Sequence, residues 1–291
     1  MTEQGITVCG VGLKGANFVE RLLAAGLRPD RVVSYRQADD LSCSFERILE
    51  LTQKSGITFV EDRSPVVEAS ELVFIVGWQY LIRQIEGTII VFHDSVLPRY
   101  RGFAPTVTAL INGDPAIGVT ALHPVALVDA GPIVAQREIS ISYPIRIRNA
   151  LELQSGLMAD LALDIIAAWQ SGALSSRPQD ESKATYSLWR DEADYNIDWS
   201  QSASEIRRFI DAVSWPYSGA RTTVGGEPVT IDAANEVDDL RFERRDVGKI
   251  WRLDTGRPVV VCGSGLLRLD RVTKPSGEPF EFRRLRVRLG S

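Results

Sequence analysis

The residues best suited to chemistry in this 291-residue chain lie in two short stretches. One of its only two histidines, His93, heads the run Phe92-His93-Asp94-Ser95-Val96-Leu97-Pro98-Arg99-Tyr100-Arg101-Gly102. The other stretch, whose aspartate lies 36 residues beyond that histidine, is Val128-Asp129-Ala130-Gly131-Pro132-Ile133. An imidazole changes charge near neutral pH, which suits it to accept and return a proton, and a neighbouring carboxylate can orient or charge it. His93 leaves an apolar run and enters a loop stiffened by Pro98 and Gly102, a placement that presents a catalytic base. Asp129, flanked by apolar residues, is its natural partner. Asp94 points to the opposite side of an extended chain from His93 and reads as loop structure. Ser95 reads as a loop cap or substrate contact rather than a nucleophile. Arg99 and Arg101 are candidates to contact an anionic substrate, with loop bracing equally open for Arg101. His123 reads as a substrate-facing or strand-end residue.

Such residues need a frame. Residues 6–9, 32–35, 57–60, 72–76 and 88–92 are short apolar or β-branched runs, whereas 16–25 and 45–55 have helical composition. Apolar strands alternating with helices predict an α/β fold, a mainly parallel sheet with helices on both faces. Ligands of such sheets collect at the carboxyl ends of the strands, the edge at which His93 emerges. The run Gly10-x-Gly12-x-x-Gly15 has the form of a dinucleotide fingerprint, yet the second strand ends in Tyr35 and Arg36 instead of an acidic residue. A tight turn with close helix packing is the simpler reading, and it leaves Lys14 within reach of a substrate phosphate. The aromatic loop Trp78-Gln79-Tyr80-Leu81-Ile82 after the fourth strand is suited to hold a flat heterocycle. Residues 139–141 predict a closing strand, 151–169 a long amphipathic helix, and 200–213 another helix. Short strands at 221–224, 228–233, 248–253, 259–262 and 266–272, separated by Gly and Pro, predict a smaller C-terminal β-barrel. The expected organisation is a catalytic domain over 1–175, a polar linker over 176–200 and a second domain over 201–291.

Composition narrows the function classes. With 44% hydrophobic and 24% charged residues the chain reads as soluble and globular, and no apolar run approaches the ~20 residues that span a bilayer. A net charge of -5 argues against a general nucleic-acid-binding surface, and the arginine-rich stretch 282–288 reads as an edge strand with a charged face. The start of the chain lacks the pattern of a signal peptide, and Cys9, Cys43 and Cys262 are too scattered for a disulfide framework. A cytoplasmic location is expected. Two histidines and three cysteines offer no metal-ligand spacing, so no metal is expected.

The run His-x-Ser-x-Leu-Pro-x-x-Arg-Gly, then Gly118-Val119-Thr120, Asp129-x-Gly131 and Ala135-Gln136, resembles the signature of the folate-dependent formyltransferases. That family includes methionyl-tRNA, glycinamide ribonucleotide and sugar N-formyltransferases. Ile197-Asp198-Trp199, the helix after it and Pro216-Tyr217-Ser218-Gly219-Ala220 resemble the junction and C-terminal domain of the same family, so the likeness covers nearly the whole chain. It implies a Rossmann-like domain followed by an OB-like barrel, with 10-formyltetrahydrofolate as co-substrate. It further implies that His93 and Asp129 act on a primary amine, that Trp78, Gln79, Tyr80, Leu81, Ile82 and Val128 lie at the folate, and that Ser95, Arg99, Arg101 and His123 lie at the acceptor. One position departs from the pattern. The family has an asparagine two residues before the histidine, where this chain has Val91. Valine cannot donate to the oxyanion of a tetrahedral intermediate, a contribution of roughly 3 to 4 kcal/mol for one such donor, so backbone N–H groups near Ser95 or the Gln79 side chain become candidates for that task. The resemblance points to a nucleotide-linked amino sugar as acceptor. Alternatives are another small amine, such as an amino acid or hydroxylamine derivative, initiator transfer RNA, a hydrolase releasing formate, or a silent folate or nucleotide-sugar binder. It leaves a homodimer open and implies no membrane partner.

Overall fold

A computed structural model of the chain describes residues 5–38, 40–67, 71–80, 84–85, 87–282 and 284–290. They form two units, the first comprising Met1–Thr106, Ala116–Ile141 and Asn149–Leu188, the second Val107–Pro115, Ser142–Arg148 and Trp189–Ser291.

The first unit opens with β1 (Gly5–Gly10), α1 (Gly12–Ala24), β2 (Arg31–Ser34), α2 (Ser44–Ser55) and β3 (Thr58–Glu61). It continues with β4 (Val66–Val67), β5 (Glu71–Val76), β6 (Gln84–Ile85), β7 (Thr88–His93) and β8 (Arg101–Gly102). Along the chain then follow α3 (Pro105–Asn112), whose residues from Val107 on belong to the second unit, β9 (Ala116–Leu122), β10 (Ile133–Ser140), α4 (Ile147–Gln170), which belongs to the first unit from Asn149 on, and β11 (Tyr186–Ser187). Seven strands make one sheet in the order β10-β9-β7-β5-β1-β2-β3. The five from β7 to β3 run parallel, while β9 is antiparallel to both β7 and β10. The sheet is thus mainly parallel, as the alternating pattern implied.

The helices form for the reason the pattern suggested. In α1 the residues Gly15, Ala16, Phe18, Val19 and Leu22 are buried, the i, i+3, i+4 spacing of an amphipathic helix. Around them α1, α2 and α4 share one core cluster, with Phe18, Leu22, Ile48, Met158, Leu161 and Ile165 packed on Val8, Phe74 and Ile90. The opposite face carries a smaller cluster of Cys9, Val33, Val73, Ile75 and Ile89. The right-handed crossovers β1-α1-β2-α2-β3 put their helices on one face. Among the described residues, the connections before and after β5 carry the strands β4 and β6, which pair with each other. Close packing at the first turn explains its glycines: a Cβ on Gly15 would stand 2.6 Å from the Gly10 carbonyl carbon.

The second unit contains α5 (Ala203–Ala212), β12 (Ala220–Val224), β13 (Glu227–Val237), β14 (Ile250–Asp254), β15 (Arg257–Val261) and β16 (Leu266–Thr273). Helix α5 starts in a capping box, in which the Ser202 hydroxyl accepts from the Glu205 N–H while the Glu205 carboxylate accepts from the Ser202 N–H. It packs on β13 and β16. The strands form an antiparallel sheet in the order β12-β13-β16-β15-β14. Its two edges meet through the last residues: Leu289 bridges to Val224 and Arg288 to Lys249. The edge strand expected over 282–288 is not formed among the described residues: 284–287 are bends and coil, and the tail meets the strand edges only through single bridges at its end, while Arg283 lies outside the described residues.

Candidate active site

His93 is the last residue of β7, on the carboxyl edge of the sheet, and is only 7% exposed. Its Nε2–H donates to the Tyr100 carbonyl at 2.7 Å, which fixes the ring and directs Nδ1 elsewhere. Nδ1 stands 3.4 Å from Oδ2 of Asp129. The two groups singled out by residue type, one at a strand end and one in the loop between β9 and β10, therefore meet.

Asp129 holds an unusual backbone conformation, φ 51°, for a residue with a side chain. Three bonds keep it there. Its Oδ2 accepts the Gly102 N–H at 2.8 Å. The Gln179 amide donates to the Asp129 carbonyl at 2.7 Å and to the Gly131 carbonyl at 2.8 Å. Gln179 is itself held by Arg101, whose Nε and Nη2 donate to its Oε1 at 3.1 and 2.8 Å. Arg101 has no exposed surface, and its remaining donors reach the Glu181 carboxylate at 2.7 and 2.8 Å. Of the two readings left open for Arg101, the geometry is that of a brace: its guanidinium is engaged inside the fold. Gly102 is also explained. It sits at φ 99°, and a Cβ there would stand 2.6 Å from the Ser187 carbonyl oxygen, so only bare backbone lets β8 pair with β11 and offer its N–H to Asp129.

The loop after β7 is fastened by buried polar groups. Ser95 is 5% exposed, its hydroxyl donates to the Arg99 carbonyl at 2.6 Å, and its carbonyl accepts from Thr120 Oγ1 at 2.7 Å. Its hydroxyl thus serves the loop-capping role of the two considered. The Gln136 amide donates to Thr120 Oγ1 and to the Leu97 carbonyl, each at 2.8 Å. Arg99 is exposed, with its guanidinium 4.9 Å from the centre of the Tyr100 ring. His123 is half-buried, with Nδ1–H donating to the Ile89 carbonyl at 3.0 Å. Asp94, read as loop structure, is ion-paired with Lys14, so that lysine faces a carboxylate.

Val91 points along the same side of β7 as His93 and packs against Leu97, Leu122 and Ile133 as well as the smaller sheet-face cluster. In the aromatic loop, Trp78 and Tyr80 meet the buried Tyr35 at 4.9 and 5.1 Å between ring centres. The buried indole N–H of Trp78 has no hydrogen-bond partner among the described residues. Gln79 and Val128 are exposed; Leu81 and Ile82 lie outside the described residues. No group of three or more His, Cys, Asp or Glu side chains with metal-binding geometry occurs among the described residues. Nor is any described helix long and apolar enough to cross a membrane.

Electrostatics favour the neutral imidazole. Burial pushes the His93 pKa below its ordinary value, Asp129 and the Tyr100 carbonyl oppose that, and the Lys14 ammonium adds to the depression. A neutral ring with Nε2–H committed to a carbonyl leaves the Nδ1 lone pair free to take a proton. The sequence reading did not find Gln179, Glu181 or the Tyr100 carbonyl. Gln179 and Glu181 sit in a polar stretch that looked like a linker, and no local spacing marks them.

Comparison with known proteins shows the family of the chain. The formyl transferase model matches residues 68–146, and the formyl transferase C-terminal domain model matches residues 190–285. A methionyl-tRNA formyltransferase of Lactococcus lactis subsp. lactis is 30% identical over 282 residues, covering 92% of this chain and 86% of that protein. The chain belongs to the formyl transferase family. A methionyl-tRNA formyltransferase of Roseiflexus castenholzii is 38% identical over 187 residues, 64% of this chain, and the match spans 58% of that protein's length. Among solved structures, WlaRD, a sugar 3N-formyl transferase crystallised with dTDP and 5-N-formyl-THF, shares the fold with a TM-score of 0.68 at 15% identity, over 97% of this chain and 98% of that one. The N-formyltransferase of Helicobacter canadensis, in complex with folinic acid and dTDP-3-aminofucose, has the same TM-score of 0.68 at 14% identity, over 95% of this chain and 99% of that one.

Proposed function

We propose that this protein transfers a formyl group from 10-formyltetrahydrofolate to a primary amine, with His93 as the base and Asp129 as the carboxylate that stabilises its protonated form. One observation carries the reading: in a chain of this family, Nδ1 of a buried, neutral-leaning imidazole stands 3.4 Å from a braced carboxylate at the ligand-binding edge of the sheet. The amine nitrogen attacks the formyl carbon, a new C–N bond forms, and the bond from that carbon to the folate nitrogen breaks. The proton lost by the amine goes to His93 and then to the departing folate nitrogen, while Asp129 stabilises the imidazolium that exists between the two transfers. The unpartnered indole N–H of Trp78, beside Tyr35 and Tyr80, supports a flat heterocycle at this edge.

The acceptor in this reading is a nucleotide-linked amino sugar. The net charge of -5 and the fold shared with two sugar formyltransferases support it. Initiator transfer RNA is the second reading, favoured by 30 to 38% identity to methionyl-tRNA formyltransferases. The test is mass spectrometry of mixtures of the protein, 10-formyltetrahydrofolate and a panel of nucleotide-linked amino sugars, free amino acids and charged initiator transfer RNA. The expected product is a sugar nucleotide heavier by one formyl group. Product from the transfer RNA alone selects the second reading. Folate binding with neither formylated product nor free tetrahydrofolate overturns both and leaves a binding protein.

A further inference from the structure

The second unit holds a polar cleft in which the proposed chemistry has no part. Its walls come from α5, from β13 and from the segments just after α3 and just before α4, all within that unit, whereas His93 and Asp129 belong to the first. Helix α5 sets Arg207 into the cleft. Only 22% of that side chain remains exposed, and its Nε is fully buried with no hydrogen-bond partner among the described residues. Its ionic neighbours, Oδ2 of Asp211 and Oε1 of Glu236, each stand 3.9 Å away, beyond hydrogen-bond reach. The charge of Arg207 is answered, but its N–H donors are not: none makes a hydrogen bond among the described residues. Native structures seldom leave such donors unused without a water, ion or ligand to take them.

Arg208, next along the helix, is fixed beside the same cleft. Its Nε donates to the Ile111 carbonyl and its Nη1 to the Ser204 hydroxyl, each at 3.1 Å, while its Nη2 has no hydrogen bond among the described residues. A Cβ on Gly113 would stand 3.1 Å from that Nε, so bare backbone lets the guanidinium lie against the end of α3. The buried Asp211 carboxylate is shared with Arg146, whose Nε stands 3.7 Å from Oδ1. Three guanidiniums therefore gather around two carboxylates, which leaves one positive charge in excess. We propose that this cleft binds one small oxyanion, a carboxylate or phosphate group, in the fork of Arg207 with Arg208 beside it. The planar guanidinium presents paired donors at the spacing of two such oxygens, and one negative charge balances the cluster. The cavity of about 170 Å³ admits a group of several atoms, since one water needs roughly 10 to 15 Å³.

Calorimetric titration of the full chain tests this at constant ionic strength, with chloride as the balancing anion and inorganic phosphate or acetate as the titrant. Saturable binding of one ion per chain is expected. Binding of phosphate alone assigns the cleft to a phosphate group, and binding of acetate alone to a carboxylate. Arg207→Gln should weaken the binding about 10- to 100-fold, the span for hydrogen bonds to a charged group. Glu236→Gln should tighten it about 3- to 10-fold, because it removes a carboxylate that competes for the same guanidinium. Glu236 is 45% exposed, so this variant keeps the test decisive if Arg207→Gln folds poorly. Arg252→Gln, whose guanidinium pairs with Asp254 on β14, should bind as wild type. No saturable heat with either ion up to about 10 mM overturns the inference. Binding that Arg207→Gln and Glu236→Gln both leave unchanged puts the ion elsewhere and overturns it as well.

Discussion

Replacing Gln179 with alanine tests whether the Asp129 loop is held by its brace. One side-chain amide donates to two loop carbonyls at 2.7 and 2.8 Å and links them to a fully buried arginine. Each such bond contributes about 0.5 to 1.5 kcal/mol net, and a buried carbonyl left unpaired costs about 1 to 3 kcal/mol. Gly131, whose carbonyl would lose its donor, is buried. Against this, Asp129 sits at φ 51°, a conformation that costs a residue with a Cβ roughly 1 to 2 kcal/mol. Removing two bonds worth together about 2 kcal/mol therefore cancels most of what holds the strained conformer, and the loop relaxes. The expected outcome is a fall in kcat/KM of about 10- to 100-fold, equivalent to about 1.4 to 2.8 kcal/mol, with a loss of stability of about 2 to 3 kcal/mol. Gln179→Glu keeps the size and the acceptor for Arg101 but turns a carboxylate toward two carbonyls, and should lose at least as much activity. Product formation by mass spectrometry and thermal unfolding read both quantities. Wild-type kcat/KM in both variants would refute the idea that this brace positions Asp129.

Three further outcomes are expected. His93→Asn should lower kcat/KM by about 100- to 10,000-fold, the span of a general base, while the circular dichroism spectrum stays native; retained turnover removes the imidazole from the chemistry. Because burial depresses the folded-state pKa of His93 below its ordinary 6.5, the unfolded chain takes up this proton first. Its contribution to stability is therefore complete above about pH 6.5 and is lost as pH falls through the depressed value, and the acid limb of kcat/KM should have its midpoint below 6.5; a limb at or above neutrality contradicts the assignment. Burial pushes the Cys9 and Cys262 thiols up to about 12, and Cys43 is exposed, so a thiol reagent at pH 8 should label one cysteine rapidly in the native protein and all three only after denaturation.

The parts legible in the sequence are those governed by local rules. A histidine leaving an apolar strand, an aspartate followed by a glycine, and strands alternating with helices each declare themselves within a short window, because side-chain period and turn chemistry depend on near neighbours. That sufficed for the parallel sheet, the antiparallel C-terminal strands and the candidate pair. It failed where a segment owes its place to distant partners. The stretch around Gln179 looked like a polar linker, yet Arg177 exchanges backbone hydrogen bonds with Ile133 and Gln179 ties down Asp129. The short helix α3 was not anticipated, since its eight residues make too brief a periodic signal. Lys14 and Asp94 are 80 residues apart, and Arg101 and Glu181 are separated by the same distance along the chain. Residue type and spacing by themselves determined that an imidazole and a carboxylate were available at a strand edge. Only the tertiary structure decided which buried charges surround them, because bringing together groups so remote requires the whole sheet, and its closure leaves no periodic trace in the order of the residues.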